Sequence, residues 1–222
     1  SSVSANTTAG FSVVTYTGNG TGGATVGHGL GVAPNFILAK GRTNVDNWRA
    51  YHSSLGNTGA LILNATNAFV TNSTFWNNTS PSSTVVTLGS DTSVNQSSNT
   101  FVLYCFAAVA GYSAFGSYTG NGSTDGPFVY LGFRPRWIMV KQTNAGGEDW
   151  VLSDGTRDPI NVVDSFLAPN SSSAEATGVG AYVDYLSNGF KIRTDNPRYN
   201  GSGGTYIYAC FAENPFKFAN AR

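Results

Sequence analysis

Charge is the scarcest ingredient of this sequence. Asp, Glu, Lys and Arg together make up 11% of the 222 residues, against roughly 25% in an ordinary soluble protein. The 12 acidic and 12 basic side chains cancel. Nucleic-acid binding depends first on Lys and Arg neutralising phosphates, and there is no basic stripe here, so no nucleic-acid partner is expected. Cysteine is limited to Cys105 and Cys210, too few for a disulfide framework. The two histidines, His28 and His52, lack HxxxH or CxxC companions and clustered carboxylates, so neither a metal site nor a cofactor is expected. Long apolar runs are also missing. The longest, Phe101 to Ala110, is about half of the ~20 residues a membrane-crossing helix needs, and no membrane insertion is expected. No secretory signal opens the chain, which begins at Ser1 rather than Met; we expect a processed chain or a piece of a longer one. Asn, Ser, Thr and Gly stand where charges would be. Such a surface suits variable or high salt, because salt screens charges and not neutral polar groups.

What is present is a duplication. Tyr16-Thr17-Gly18-Asn19-Gly20 recurs residue for residue as Tyr118-Thr119-Gly120-Asn121-Gly122. Each copy follows an apolar run and reads as a strand entering a tight turn, since Gly and Asn tolerate positive φ. The run after Pro34, Asn35 to Lys40, matches the run after Pro135, Arg136 to Lys141, and Trp48 matches Trp150. Val94-Asn95 through Cys105-Phe106-Ala107 aligns without gaps on Tyr199-Asn200 through Cys210-Phe211-Ala212. Slowly drifting offsets mean one unit copied once, with small loop insertions. Two copies are too few for a solenoid.

Between the turns lie short segments rich in β-branched and aromatic residues, bounded by Gly, Asn, Asp or Pro. No stretch carries a sustained 3.6-residue period with caps. The expectation is an all-β protein of two tandem homologous antiparallel β-sandwich or jelly-roll-like lobes with pseudo-twofold symmetry. Residues 1–10 read as a linker or N-terminal arm, 11–112 as the first repeat, and 113–222 as the second repeat with a C-terminal tail. Cys105 and Cys210 share an apolar strand context and read as reduced, buried thiols; a bridge between the halves would need the two last strands side by side.

Candidate chemistry is thin. Glu148/Asp149 and Asp154/Asp158 are the nearest thing to an acid–base pair, but they lie in turn-like sequence where solvated carboxylates are ordinary. Ser54 and Ser153 lack the context of an activated nucleophile. No catalytic residue is assigned. Of the Asn-x-Ser/Thr sequons, those at Asn19, Asn95, Asn121 and Asn200 recur within the repeat and read as framework rather than glycan acceptors. Phe75-Trp76-Asn77-Asn78 stands apart, an aromatic pair flanked by amides and absent from the second half. Its blander reading is packing, in the core or against a neighbouring subunit. Its sharper reading is a ligand surface, with ring faces against sugars and the amides of Asn77 and Asn78 against hydroxyls. Full burial of Trp76 within its own chain decides for packing.

The strings FSVVTYTGNG, GHGLGVAP and WRAYHSSLG, the central YCFAAVAGYSAFGSYTGNGSTDGPFVYLGFRPRWIMVK and the ending YIYACFAENPFKFANAR resemble the C-terminal region of tail and virion-associated proteins of marine tailed bacteriophages. The resemblance runs from about Thr8 to Arg222. It implies a non-enzymatic structural or adhesion domain of a tail fibre, spike or similar appendage, exposed on the virion surface. The partners it implies are further copies of the chain, a trimer by analogy with fibres, together with other virion proteins and host surface glycans. A capsid decoration protein is the alternative within the same class, and a polysaccharide-degrading enzyme the alternative outside it.

Overall fold

A computed structural model describes residues 1–214. Two compact units emerge, one from Ser1–Asn64 with Phe69–Val109, the other from Ala65–Ala68 with the chain from Ala110 onward. The first contains β1 (Ser2–Asn6), β2 (Phe11–Thr17), β3 (Ala24–Gly27), β4 (Phe36–Gly41), β5 (Arg49–His52), β6 (Gly59–Ile62), β7 (Val70–Thr71), β8 (Val85–Leu88), a single helical turn α1 (Thr92–Asn95) and β9 (Thr100–Phe106). The second contains β10 (Ser113–Thr119), β11 (Phe128–Tyr130), β12 (Pro135–Gln142), β13 (Val151–Asp154), β14 (Ser165–Phe166), β15 (Ala176–Thr177), β16 (Val183–Leu186), β17 (Gly189–Ile192), the turn α2 (Pro197–Asn200) and β18 (Thr205–Ala212). The protein is all-β, and its ladders are antiparallel.

The two units share a strand order. The first builds its large sheet as β1-β2-β9-β4-β5-β6-β7, and the second builds β10-β18-β12-β13. The middle of the first, β2-β9-β4-β5, is the same path as the second. Registers agree too. Cys105 lies opposite Ser12 and Ile37, and Cys210 opposite Ala114 and Ile138. Ala50 pairs with Leu61, and Leu152 bridges Leu167. Residues 1–10, expected as a linker or an N-terminal arm, carry a strand. Five of them form β1, which pairs with β2 from Ser2 opposite Thr15 to Asn6 opposite Phe11. All five are exposed, so the strand is held by main-chain bonds and not by a buried face.

Alternation explains the burial. Ser12, Val14 and Tyr16 point inward from β2, and a smaller sheet of β3 and β8 meets them with Val26, Val86 and Leu88 in one apolar cluster. The second unit closes likewise, with Val129, Phe190 and Ile192 facing Ile138, Val140 and Cys210. Burial of this kind supplies roughly 1.5–3 kcal/mol for each large apolar side chain.

The duplicated YTGNG motif is the joint of each unit. The Tyr16 hydroxyl donates to the Val94 carbonyl (2.5 Å), and the Tyr118 hydroxyl to the Tyr199 carbonyl (2.8 Å). Asn95 Oδ1 accepts from the Asn19 N–H (3.0 Å), while its Nδ2 donates to the carbonyls of Gly89 (2.8 Å) and Thr21 (3.0 Å). Asn200 repeats this with the Asn121 N–H (2.8 Å) and the carbonyls of Thr194 (2.8 Å) and Ser123 (2.7 Å). The glycines are forced. A Cβ on Gly18 would lie 2.3 Å from the Gln96 carbonyl oxygen, and one on Gly120 2.4 Å from that of Gly201. Gly20 and Gly122 have φ of 72° and 67°, where a Cβ is strained. Lys40 and Lys141 are matched in role as well: each ammonium donates to a carbonyl of its following loop, Asp46 O (2.7 Å) and Glu148 O (2.9 Å).

Both thiols are free and buried, each in the core of its own unit. Burial pushes Cys105 up to about 12 and Cys210 well above its ordinary value. It also pushes up the phenols of Tyr16, Tyr118, Tyr185 and Tyr199.

Two expectations follow from these joints. Asn95→Asp keeps the acceptor but removes every bond donated by Nδ2, to Asn19 Oδ1 as well as the two carbonyls, and buries a charge, and Asn200→Asp does the same. Each should lower the unfolding free energy by roughly 2–4 kcal/mol in urea titrations; a loss below about 0.5 kcal/mol would remove these amides from the framework. The second concerns base. The four phenols and two thiols have folded pKa values above their unfolded ones. Their stabilisation is therefore intact below the ordinary values of 10.0 and 9.0 and is lost as the pH rises toward the folded ones. Lys141, held down to about 8 by burial, opposes this with a gain between about 8 and its ordinary 10.5. Cooperative unfolding should begin near pH 10, with both thiols unreactive to a disulfide reagent until it does. Thiol labelling of the native protein at pH 8 would contradict the burial.

Candidate functional site

The aromatic loop is core, and its assignment as a ligand surface is corrected. Phe75 is 2% exposed and Trp76 1%, both in the apolar cluster of the first unit. Trp76 meets Tyr51 edge-on, with ring centroids 6.0 Å apart. The Arg49 guanidinium covers the Phe75 ring at 4.4 Å. Asn72 turns the loop inward, its side-chain oxygen accepting from the Thr74 N–H and hydroxyl. Burying a large apolar side chain stabilises by about 1.5–3 kcal/mol, more than the roughly 1 kcal/mol of a single polar surface contact. Asn77 and Asn78 stay exposed with φ of 52° and 47°, as residues of a left-handed turn.

His28, His52, Ser153, Asp154 and Asp158 are framework as well, whereas Glu148 and Asp149 lie beside Arg198. His28 is buried, with Nε2 3.2 Å from the Ser82 carbonyl and Nδ1 accepting from the Leu30 N–H; burial holds its pKa below the ordinary value. His52 Nδ1 accepts from the N–H of Ser54. Burial raises the Asp154 carboxyl, but bonds from the Arg157 and Thr156 N–H groups and the Arg157 guanidinium outweigh it and hold the pKa low. Asp158 is held low in the same way by the N–H groups of Asp164 and Ser165, against its own burial. Ser153 lies in the core against the hydroxyls of Tyr185 (3.0 Å) and Tyr199 (3.2 Å). Among the described residues no group of three or more His, Cys, Asp or Glu is placed to hold a metal ion.

Tyr51 and Ser153 occupy the same register position, opposite Ile37 and Ile138. Tyr51 meets Trp76 from the loop after β7, and Ser153 meets Tyr185 from β16, which follows β15. The second unit thus fills the place of the aromatic loop with a hairpin, β16–β17.

A groove of about 290 Å³ opens in the second unit, lined by Asp149, Phe166, Ser171, Ser173, Ala176 and Arg198 among others. Its residues have counterparts in the first unit. The Trp48 N–H bonds Asn64 Oδ1 and the Trp150 N–H bonds Asn170 Oδ1. The amide of Asn64 then reaches Asn47, and that of Asn170 reaches Asp149 (2.8 Å). Asp149 therefore stands where the first copy has Asn47. Arg198, second residue of α2, stands where α1 has Ser93. Ala176 pairs with Phe166 as Val70 pairs with Ala60. The matched residues of the first copy are uncharged, and the guanidinium beside Ser93 there comes from Arg49 on β5, whose Nε donates to the Ser93 hydroxyl (2.8 Å); the second copy has a carboxylate at Asp149 and its guanidinium on α2 itself. Arg198 lies 3.5 Å from Asp149 and 3.7 Å from Glu148, and its guanidinium is 5.4 Å from the centre of the Phe166 ring.

A second local divergence is on β11. Phe128 and Tyr130 are 45% and 68% exposed on either side of buried Val129. Gly23 and Gly126 make equivalent bonds to Leu88 and Ile192, which puts Thr25 and Gly27 at the matching places. Both divergences escaped a reading that singled out the aromatic loop. The signal for β11 was the alternation Phe-Val-Tyr, absent from the first copy. The groove's one signal was the pair Glu148/Asp149, which read as turn carboxylates because Arg198, their partner in space, is far along the chain.

The comparisons with known proteins add one finding and two blanks. No curated protein and no solved structure matches the chain. The profile of one family covers residues 1–215, and the chain accordingly belongs to that family, described as a domain of unknown function, DUF7483.

Proposed function

We propose that this domain is a structural and adhesion module of a phage virion appendage, a tail fibre or spike, displayed at the particle surface as a homo-oligomer among other virion proteins. The observation that carries the reading is where the reactive side chains are spent. Asp154 and Asp158 anchor turns, and His28 and Ser153 are buried in hydrogen-bonded places. That favours binding over turnover, and so favours an adhesion module over a polysaccharide-degrading enzyme. The motif resemblance to phage tail proteins supplies the particle context. Charge scarcity together with exposed Phe128, Tyr130 and Ile160 supports association through apolar side chains rather than ion pairs.

Gold-labelled antibodies against the domain should mark the tail appendage of intact particles. Label on the capsid faces would replace the reading with capsid decoration, and release of reducing sugar from host polysaccharide would replace it with an enzyme. Sedimentation of the purified chain at micromolar concentration should show a closed oligomer, a trimer by the fibre analogy. The double variant Phe128→Ser/Tyr130→Ser should shift it to a folded monomer whose unfolding midpoint no longer depends on protein concentration. A wild-type monomer would overturn the oligomer.

A further inference from the structure

We propose that the groove beside α2 in the second unit binds one neutral saccharide unit, an inference that rests on the adhesion reading and gives it a place. Duplicated scaffolds hold matching positions for folding, so a divergence that opens space and installs polar groups is the informative one. Here Asp149 matches Asn47, Arg198 matches Ser93 and Ala176 matches Val70. Asp149 adds a carboxylate, Arg198 carries on α2 a guanidinium that the first copy supplies from Arg49 on β5, and Ala176 is smaller than Val70.

The guanidinium is held without being saturated. Its distances to Asp149 and Glu148, 3.5 and 3.7 Å, are beyond the 2.7–3.2 Å of a formed N–H···O bond. Arg198 Nε is enclosed and has no hydrogen-bond acceptor within the protein. Asp149 gives one oxygen to the Asn170 amide at 2.8 Å, which fixes the carboxylate and leaves its second oxygen toward Arg198. A fixed acceptor beside an unsaturated donor suits vicinal hydroxyls, each of which both donates and accepts. Ser171 and Ser173 add hydroxyls on the rim, and Ala168, Ala176 and Val179 give an apolar wall for the C–H face of a ring.

Charge and size set the class. Arg198 with Glu148 and Asp149 leaves one net negative charge, which disfavours uronic, sialic or phosphorylated sugars. A space of about 290 Å³ is at the small end of ligand sites and fits one ring rather than a chain. Affinity at a single site is expected in the millimolar range, so useful adhesion comes from several copies on one oligomer.

The test is titration of the full 222-residue chain with the methyl glycosides of mannose, galactose and N-acetylglucosamine, and with sialic acid. The readout is the backbone amide signals of residues 171–176. At least one neutral glycoside should shift them and saturate. Asp149→Asn, which restores the residue of the first copy and retains an acceptor for Asn170, should weaken binding about tenfold with the unfolding midpoint unchanged. Ala176→Phe should fill the groove and abolish binding. The groove is overturned if no neutral glycoside moves these signals, if sialic acid binds more tightly, or if Asp149→Asn binds as wild type. Host-cell binding separates the two readings. Retention of cells by Ala176→Phe refutes the groove as the adhesive contact and leaves adhesion standing, whereas failure of the wild type to bind cells, with glycoside still saturating the groove, refutes adhesion and leaves the saccharide site.

Discussion

One buried amide in each unit holds the architecture together. Asn95 and Asn200 each tie three pieces of chain: the YTGNG turn, the end of the small sheet and the helical turn leading into the last strand. A side-chain amide does this because it donates and accepts at once, and each buried main-chain group it satisfies would otherwise cost about 1–3 kcal/mol. The glycines follow from it, since the turn must approach the helix end more closely than a Cβ allows. The tyrosine before them follows too, its hydroxyl capping the same helical turn.

That joint also explains how the protein manages with little charge. Polar groups that elsewhere would be solvated as ions are here amides and hydroxyls bonded to main chain, and a neutral partner can be buried without the desolvation an ion requires. Asp184, buried and paired with Arg193 (2.6 Å), and Lys141 depart from this; Lys141 is a fully buried ammonium held by carbonyls of Glu148 and Thr66, and loss of solvent on burial lowers its pKa. The carboxylates that remain cluster in the loops of the second unit, where Asp154 and Asp158 organise turns and Asp149 faces the groove.

The two units show what duplication conserves and what it releases. Strand order, register, the Asn clasp and the buried cysteine recur. The connection after β7 and its counterpart after β15 do not. One copy fills the space beside Tyr51 with an indole. The other, with Ser153 in place of that ring, fills it with Tyr185 and Tyr199 hydroxyls. The aromatic loop was therefore a real divergence whose direction the sequence concealed: it is a different way of filling a core.

Local and periodic features were determined by the amino-acid sequence alone. Alternating apolar residues bounded by Gly and Asn dictated short strands, because a pleated strand points successive side chains to opposite faces. Repeated YTGNG turns and repeated cysteine strands dictated that the same unit is built twice. The sequence did not determine which way an isolated aromatic pair points. Phe75 and Trp76 carry the same residues whether exposed or buried, and only the Asn72 turn, the arginine over one ring and the space beside Tyr51 send them inward. Nor could it assemble the groove, since Asp149, Phe166, Ala176 and Arg198 come from separate elements that meet only when the strands are paired. Periodicity is a property of neighbours along the chain, whereas a binding surface is a property of neighbours in space.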